Sequence, residues 1–296
     1  MLEADRLQLI RSVRRLAEGD AAAVDAFLAR HRDTSMFLRS NLHASGFRDD
    51  GKPLEGAWFG SFEGEALSAV AMHAWNGNVI VLAAERASLG EVAIAVTDAT
   101  RSRGRGVAGL IGPYEQVVAV RGALGLDARP ATIEQREHLY ALDVDALRVA
   151  PSSTRCRRTR DDDLDQCARW RVAYNEEALF MPRAQAEASA RDAVERIHAR
   201  RESFVLEDDR GTRVAYSAFN AKIADMVQIG GVWTPPELRG RGHGRQVVAG
   251  SLELARAEGV VRATLFTGEW NVAAQRAYEA LGFARVGSYG LVMFAQ

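Results

Sequence analysis

The sequence of 296 residues lacks the features that mark several large classes of protein. It has two cysteines, Cys156 and Cys167, and neither a C-x-x-C pair nor a histidine cluster beside them, which argues against structural zinc and a disulfide framework. Its 38 basic and 39 acidic side chains nearly cancel, so it lacks the basic excess of a nucleic-acid-binding protein. We therefore expect reduced cysteines, no bound metal and no nucleic-acid partner.

Long apolar runs are also missing. No stretch approaches the roughly 20 apolar residues that span a bilayer, and the first residues lack the basic and then apolar order of a signal peptide. These absences predict a cytoplasmic protein without a membrane partner.

The apolar content, 47%, is high enough to build a core in each of two domains. The predicted order of helices and strands in the first half recurs in the second, and Ala123-Leu124-Gly125-Leu126 ends a helix as Ala280-Leu281-Gly282-Phe283 does later. We predict two tandem copies of one mixed α/β fold, residues 1–150 and 151–296. A strand over 137–144 is expected to close the first copy, and a strand over 289–294 the second.

A glycine-rich loop in the second half separates a predicted strand over 226–233 from a predicted helix over 244–257. We call it the glycine loop, and its residues are Arg239, Gly240, Arg241, Gly242, His243, Gly244 and Arg245. The first turn of a helix exposes unpaired backbone N–H groups and carries a partial positive charge. Glycines let a phosphate approach those groups, and the arginines add full charges. The pattern therefore predicts a pyrophosphate-binding site.

Other interpretations fit less of this pattern. A flexible basic turn explains an isolated R-G-R-G equally well. A dinucleotide-binding G-x-G-x-x-G motif fails because the third glycine, Gly244, comes too early. A Walker P-loop is excluded because no Gly-Lys-Ser/Thr follows. RNA binding through one short run without flanking repeats would have little electrostatic footprint.

The segment after the next predicted strand favours one interpretation of the glycine loop. Asn271, Ala274, Tyr278, Gly282 and Phe283 match the pattern N-x-x-A-x-x-x-Y-x-x-x-G-F, and the glycine loop matches Q/R-x-x-G-x-G/A. In this order the two motifs resemble the GNAT superfamily, the GCN-related N-acetyltransferases, over roughly the second half of the chain. The resemblance implies a mixed, largely antiparallel twisted sheet flanked by helices in each copy. It also implies acetyl-coenzyme A (acetyl-CoA) as the acyl donor.

The resemblance further implies roles for residues around these motifs. The glycine loop would bind the pyrophosphate, a backbone N–H near Val232 would stabilise the oxyanion, and Tyr278 would protonate the departing thiolate. Gly230 and Gly231 fit a bulge that opens a slot for the pantetheine arm, with a plain weak point in a core strand as the alternative. The residues expected to contact the donor beyond the loop are Val232, Trp233, Thr234 and Asn271.

The general base and the acceptor contacts stay open at the level of sequence. Histone-type members of the family carry a glutamate where this chain has Gln228, and an amide cannot accept the proton. Glu269 is the preferred candidate, with Asp225, a water relay or an already neutral amine as alternatives. The candidate acceptor residues on the first helices are Tyr174, Glu176, Glu177 and Phe180, although ordinary packing of an amphipathic helix explains them as well.

The first copy differs where the chemistry is expected. Its counterpart of the glycine loop holds Glu85 and no glycine cluster, and Arg121 stands at the position of the tyrosine. Arg103-Gly104-Arg105-Gly106 follows a helix, where carbonyl groups rather than N–H groups are exposed. We expect a degenerate first copy and an N-acetyltransferase in the second, which acts on a primary amine of a small molecule or protein. A homodimer is left open, and a non-catalytic acyl-CoA sensor or scaffold is the alternative function.

Overall fold

The computed structural model of the chain describes residues 11–84 and 89–295. Its contacts divide it into two compact units: the described residues up to Glu134 together with those from Gly290 onwards, and Gln135–Tyr289. These units do not coincide with the sequence halves 1–150 and 151–296, and the roles expected of the two halves stay predictions. Glu85, which we expected to disfavour phosphate in the first half, lies outside the described residues.

The first unit is built on antiparallel hairpins. Strands β1 (Arg11–Arg15), β2 (Gly56–Glu63), β3 (Ala66–Ala74) and β4 (Asn78–Ala83) pair in chain order, and β5 (Gly109–Pro113) joins β4 in parallel. Gly64 and Gly77 take φ of +61° and +82° in the hairpin turns, a region that favours glycine. The helices are α1 (Ala21–Arg30), α2 (Met36–Ser45), α3 (Leu89–Arg101) and α4 (Tyr114–Ala123).

Strand β6 (Ala131–Asp143) corrects one expectation. It begins in the first unit, but from Gln135 onwards it belongs to the second. There it pairs antiparallel with the strand Arg262–Gly268, from Asp143 opposite Arg262 to Glu137 opposite Gly268. The prediction that this strand closes the first copy is therefore wrong, because a strand's own sequence specifies its buried face but not its neighbour.

The second unit is a mixed sheet in the order β6, β11, β10, β9, β8, β7. Its further strands are β7 (Arg155–Arg158), β8 (Ser203–Glu207), β9 (Arg213–Lys222), β10 (Met226–Trp233) and β11 (Arg262–Gly268). Its helices are α5 (Leu164–Ala178), α6 (Arg183–Ala199), α7 (His243–Arg256) and α8 (Val272–Ala280). The last strand, β12 (Ala284–Phe294), starts in this unit, while its residues from Gly290 belong to the first.

Two separate apolar layers hold the helices on the sheet of the second unit. Val227 and Ile229 of β10 pack with Val247 and Leu252 of α7, whose buried residues recur at helical spacing. The layer on the other side joins buried residues of α5, α6 and the strands, namely Cys167, Trp170, Val194, Ile197, Val205, Tyr216, Ala218 and Trp233. Each fully buried aliphatic side chain contributes roughly 1.5–3 kcal/mol.

Parallel strands β10 and β11 separate partway along their length. Their pairing runs from Met226 opposite Arg262 to Ile229 opposite Leu265 and then stops. On its other side β10 shifts register against β9 between Gly230 and Trp233, and Gly231 takes φ of +62°. This confirms the predicted bulge, and it leaves a gap between the carboxyl ends of β10 and β11.

No helix in residues 11–84 and 89–295 combines the length and the apolar character needed to cross a membrane.

Candidate active site

The glycine loop lies at the amino end of α7, as the sequence predicts. Gly240 and Gly242 have φ of +76° and +83°, and Gly242 is the residue that precedes the first turn of the helix. The backbone amides from Gly240 to Arg245 form no hydrogen bond within the part of the chain that the structure describes. A run of unpaired, converging N–H groups at a helix terminus is the chemistry that binds a phosphate.

The basic side chains of the loop have different environments. Arg239 is held by three contacts: its Nη2 lies 2.9 Å from Glu177 Oε2, its Nε donates to the carbonyl of Thr234 at 3.0 Å, and its guanidinium lies 4.8 Å from the Trp233 ring centre. Arg241 reaches the carbonyl of Glu237 at 3.4 Å. Arg239 therefore ties the loop to α5 and to the end of β10.

The side chains of His243 and Arg245 complete the loop. His243 Nδ1 lies 3.4 Å from Gln246 Oε1. Arg245 makes no ion pair or side-chain hydrogen bond within residues 11–84 and 89–295, so its charge is available to an incoming anion. Val232, between the bulge and the loop, packs partly buried against the apolar layer under α7.

Tyr278 is buried on α8, with 8% of its surface exposed. Its ring lies 6.5 Å from that of Tyr140 and 6.1 Å from that of Phe283. Burial raises the pKa of Tyr278 above its ordinary value of 10, and the nearby Tyr174 and Glu137 raise it further. The phenol is therefore neutral at physiological pH and carries a proton that it can donate.

Asn271 begins α8. Its Oδ1 accepts a hydrogen bond from the backbone N–H of Ala274 at 3.1 Å, which is the geometry of a helix cap. Capping explains why asparagine stands at this position. Contact with the donor stays a prediction for this residue.

Two of the four predicted acceptor residues lie in ion pairs. Glu177 pairs with Arg239, and Glu176 lies 3.8 Å from Arg183. Phe180 is 60% exposed, takes φ of +51°, and packs against the exposed Trp270 with 5.7 Å between ring centres. This exposed aromatic pair marks a surface beside the carboxyl end of β11.

Tyr174 is the predicted acceptor residue that lies nearest the gap. The guanidinium of Arg171 lies 5.1 Å from the centre of the Tyr174 ring. A methyl group built on Gly231 would lie 2.8 Å from Arg171 Nη1, so this arginine also lies against the bulge. Burial raises the pKa of Tyr174, and Glu137 adds to the rise, while Arg171 and the backbone of Gly231 lower it. Tyr174 thus lies beside the bulge of β10.

The three positions considered for the general base differ in burial and in their neighbours. Gln228 is 2% exposed; its Nε2 donates to the carbonyl of Ile229 at 2.7 Å, and its Oε1 is buried without a partner among the described residues. Glu269 has 47% of its side chain exposed, with His138 at 3.5 Å and Arg136 at 3.7 Å. Asp225 lies on the surface at the opposite end of β10, where its backbone carbonyl accepts hydrogen bonds from Val261 and Arg262.

A further carboxyl group, Glu137, was missed because the sequence assigns it to the first copy. It is 7% exposed on β6, directly opposite Gly268 at the end of β11. Burial raises its pKa from 4.5 to about 7. The available signal was the pattern Gln135-x-Glu137-x-Leu139, which puts polar side chains on the buried face of a strand.

Comparison with known proteins identifies the domain that carries this geometry. Residues 165–283 match the model of the acetyltransferase (GNAT) family, and this range contains the glycine loop, the gap and Tyr278. Residues 165–283 form a GNAT domain. No curated protein matches the chain.

Solved structures of GNAT proteins resemble the chain over nearly its whole length. An acetyltransferase of Colwellia psychrerythraea is 16% identical, with 96% of this chain and all of that one covered and a TM-score of 0.52. A GCN5-related N-acetyltransferase of Sphaerobacter thermophilus is 16% identical, with 95% and 94% covered and a TM-score of 0.55. A tandem GNAT protein from the clavulanic acid biosynthesis pathway is 16% identical, with 97% and 98% covered and a TM-score of 0.51. At this identity the likeness shows the fold, and it confirms the predicted tandem GNAT-like architecture.

The basic run of the first unit differs from the glycine loop of the GNAT domain. Arg103 Nη1 lies 2.8 Å and Arg105 Nη2 2.7 Å from the buried carboxylate of Asp49. The run follows the carboxyl end of α3, as expected. Both arginines therefore already contact a protein carboxylate, and the run lacks the free N–H groups of a helix start, so it is poorly placed to hold a phosphate.

Neither cysteine of the chain is activated. Burial raises the pKa of both Cys156 and Cys167 to about 12, so both are thiols at neutral pH. Cys156 lines a cavity of about 510 Å³ beside α7, which also borders Arg245 and the segment 149–154. No cluster of three or more histidine, cysteine or acidic side chains that could hold a metal ion occurs in the described ranges.

Proposed function

We propose that this protein is an N-acetyltransferase that transfers the acetyl group of acetyl-CoA to a primary amine. The observation that carries the proposal is the combination of unpaired amides at the start of α7 with a buried, neutral Tyr278 near Tyr174, the residue beside the bulge of β10. The first provides an anion site and the second a proton donor, and acyl transfer from a thioester requires both.

The residues present fit the donor. The amides of Gly240 to Arg245 and the unpaired Arg245 would bind its pyrophosphate. The edge of β10 that faces β11 has no strand partner beyond Ile229 in the described chain, so Val232, Trp233 and Thr234 would pair with the pantetheine arm. The donor supplies an activated thioester carbonyl. Asn271 would remain mainly a helix cap.

Direct attack by the amine is the mechanism that the side chains favour. The amine nitrogen forms the new C–N bond, the C–S bond breaks, and Tyr278 gives its proton to the departing thiolate. A backbone N–H near Val232 would stabilise the oxyanion. An acyl-cysteine intermediate is disfavoured because both cysteines are protonated at neutral pH.

The first unit would not catalyse the reaction, since its arginine–glycine run follows a helix instead of preceding one and its arginines already contact Asp49. We propose that residues 151–296 hold the catalytic copy and that residues 1–150 are a non-catalytic one. A cytoplasmic location is part of the same proposal.

The decisive experiment is thiol release from acetyl-CoA in the presence of an amine panel: spermidine, glucosamine, free amino acids and a peptide with a free amino terminus. We expect amine-dependent thiol release with at least one acceptor, together with an acetylated product of the right mass. If acetyl-CoA stabilises the protein against heat while no amine of the panel is acetylated, the enzyme proposal is wrong and an acyl-CoA sensor is favoured.

A further inference from the structure

β6 brings two polar side chains into the second unit on one face. Gln135 and Glu137 alternate along the strand and are both buried. Gln135 Nε2 donates to the carbonyl of Ala178, the last residue of α5, at 3.0 Å. Since both residues project from the same face of β6, Glu137 also faces the layer under α5.

The surroundings of Glu137 contain two phenols, and no cation forms an ion pair with it among the described residues. The carboxyl group forms no ion pair or hydrogen bond within residues 11–84 and 89–295. It lies near enough to Tyr174 on α5 and Tyr278 on α8 to raise the pKa of each phenol. Leaving a carboxylate buried and unpaired is costly, and such groups concentrate at sites that need them for chemistry.

Glu137 lies opposite the part of β11 that no longer pairs with β10. Its partner in the β6–β11 register is Gly268, three residues beyond Leu265, where the pairing of β10 with β11 ends. Tyr174 lies beside the bulge on the β10 side of this opening, and Tyr278 on α8 lies close enough to both Tyr174 and Glu137 for each to raise its pKa. The carboxyl group and the proposed acid therefore both lie at the point where an acyl group and an amine would meet.

Buried polar atoms without partners occur in the same layer. Gln135 Oε1, Asn175 Oδ1 and Gln228 Oε1 have none among the described residues, although each residue is more than nine-tenths buried. Unpaired amide oxygens on this side of the sheet are acceptors that suit a hydrogen-bond donor such as an amino group.

We propose that Glu137 is the general base that removes the proton from the amine acceptor. The inference rests on the proposed acetyltransferase function. The lone pair of the neutral amine forms the C–N bond, Glu137 takes one N–H proton from the attacking nitrogen, the C–S electrons leave on sulfur, and the sulfur receives the proton of Tyr278. One proton enters Glu137 and one leaves Tyr278, so the site is restored by a proton exchange with solvent.

The other charged groups that face this region do not supply an equivalent base. Arg171 on α5 is a cation, and Tyr174 and Tyr278 are protonated phenols. Glu269 is half-exposed beside Arg136 and His138. A pKa of about 7 leaves Glu137 roughly half ionised at neutral pH, which is the condition in which a general base works best.

The test compares the wild-type protein with Glu137→Gln, which keeps the side-chain shape, and with Glu134→Gln, a matched change at an exposed position of the same strand. The assay is the pH dependence of kcat with the fastest acceptor of the amine panel. We expect Glu137→Gln to lower kcat by about 10²-fold or more. In the wild type kcat should fall below about pH 7 as the base becomes protonated, and this acidic limb of the pH profile should be absent in Glu137→Gln. Glu134→Gln should keep both kcat and the limb, and the acetyl-CoA affinity of all three proteins should agree closely.

A second measurement needs no acceptor. Carbon-13 NMR of the side-chain carboxyl groups should show one glutamate that titrates near pH 7 in the wild type and is missing in Glu137→Gln. If wild-type acetyl transfer occurs but Glu137→Gln keeps its rate and pH profile, or if no glutamate titrates above pH 6, Glu137 is not the base and the acetyltransferase proposal stands. Absence of transfer by the wild type to any amine of the panel overturns both.

Discussion

The substitution Glu137→Gln should also change how the stability of the protein depends on pH, and this effect can be measured without an activity assay. Burial raises the pKa of this carboxyl group from 4.5 to about 7, so the folded protein favours its neutral form. The resulting stabilisation is fully present below pH 4.5 and is lost as the pH rises through 7. Each tenfold change in an acid dissociation constant corresponds to about 1.4 kcal/mol, so the wild type should lose about 3 kcal/mol over this range.

Glutamine does not titrate, so the variant should lack this loss. The free energy of unfolding of Glu137→Gln, relative to the wild type, should therefore rise by about 3 kcal/mol between pH 4.5 and pH 8. Parallel urea titrations at several pH values measure this difference, and all other titrating groups cancel between the two proteins. Glu134→Gln, which removes an exposed carboxylate of the same strand, should show a much smaller change. A difference that is constant with pH would refute the conclusion that Glu137 is buried and unpaired.

Three further predictions concern the donor site and the thiols. Tyr278→Phe should lower kcat for acetyl transfer by about 10²-fold with little change in acetyl-CoA affinity, as steady-state kinetics and calorimetry would show; an unchanged kcat would remove the tyrosine from the role of acid. Gly242→Ala should weaken acetyl-CoA binding about tenfold or more and destabilise the fold by about 1 kcal/mol, because φ there is +83°. Gly244→Ala adds the same methyl group within a helix, 3.5 Å from Thr234 Oγ1, and should preserve both stability and affinity, so equal losses in the two variants would contradict the loop geometry. Cys156 and Cys167 should react with a thiol reagent at pH 8 much more slowly than free cysteine, because burial raises both pKa values to about 12; fast modification of the native protein would show that they are accessible thiolates.

Some parts of the site depend on residues that are neighbours in the sequence, and others depend on contacts between distant segments. The glycine loop and α8 were predictable from sequence because their chemistry is local: a helix start requires neighbouring residues only, and Gly242 and Asn271 take their positions within one turn of a helix. The bulge at Gly231 was also indicated, since glycine in a strand marks a place where side chains cannot be accommodated easily.

The base could not be found in this way. The alternation of β6 identifies a strand with a buried polar face, yet nothing in that stretch specifies β11 as its neighbour. The ion pair of Arg239 with Glu177 likewise joins residues far apart in the chain. Glu269 was preferred because it was expected to face the point where β10 and β11 separate, whereas the structure surrounds it with Arg136 and His138 at the surface.

The sequence by itself determined that a helix starts at the glycine loop, which loop offers free amides, and which tyrosine follows it, because these depend on residues a few positions apart. Only the tertiary structure decided that a strand from the first half of the chain lies beside β11 and buries Glu137 near two phenols. The physical reason is that strand pairing and desolvation are set by contacts between distant segments, and the basicity of a carboxyl group depends on those contacts.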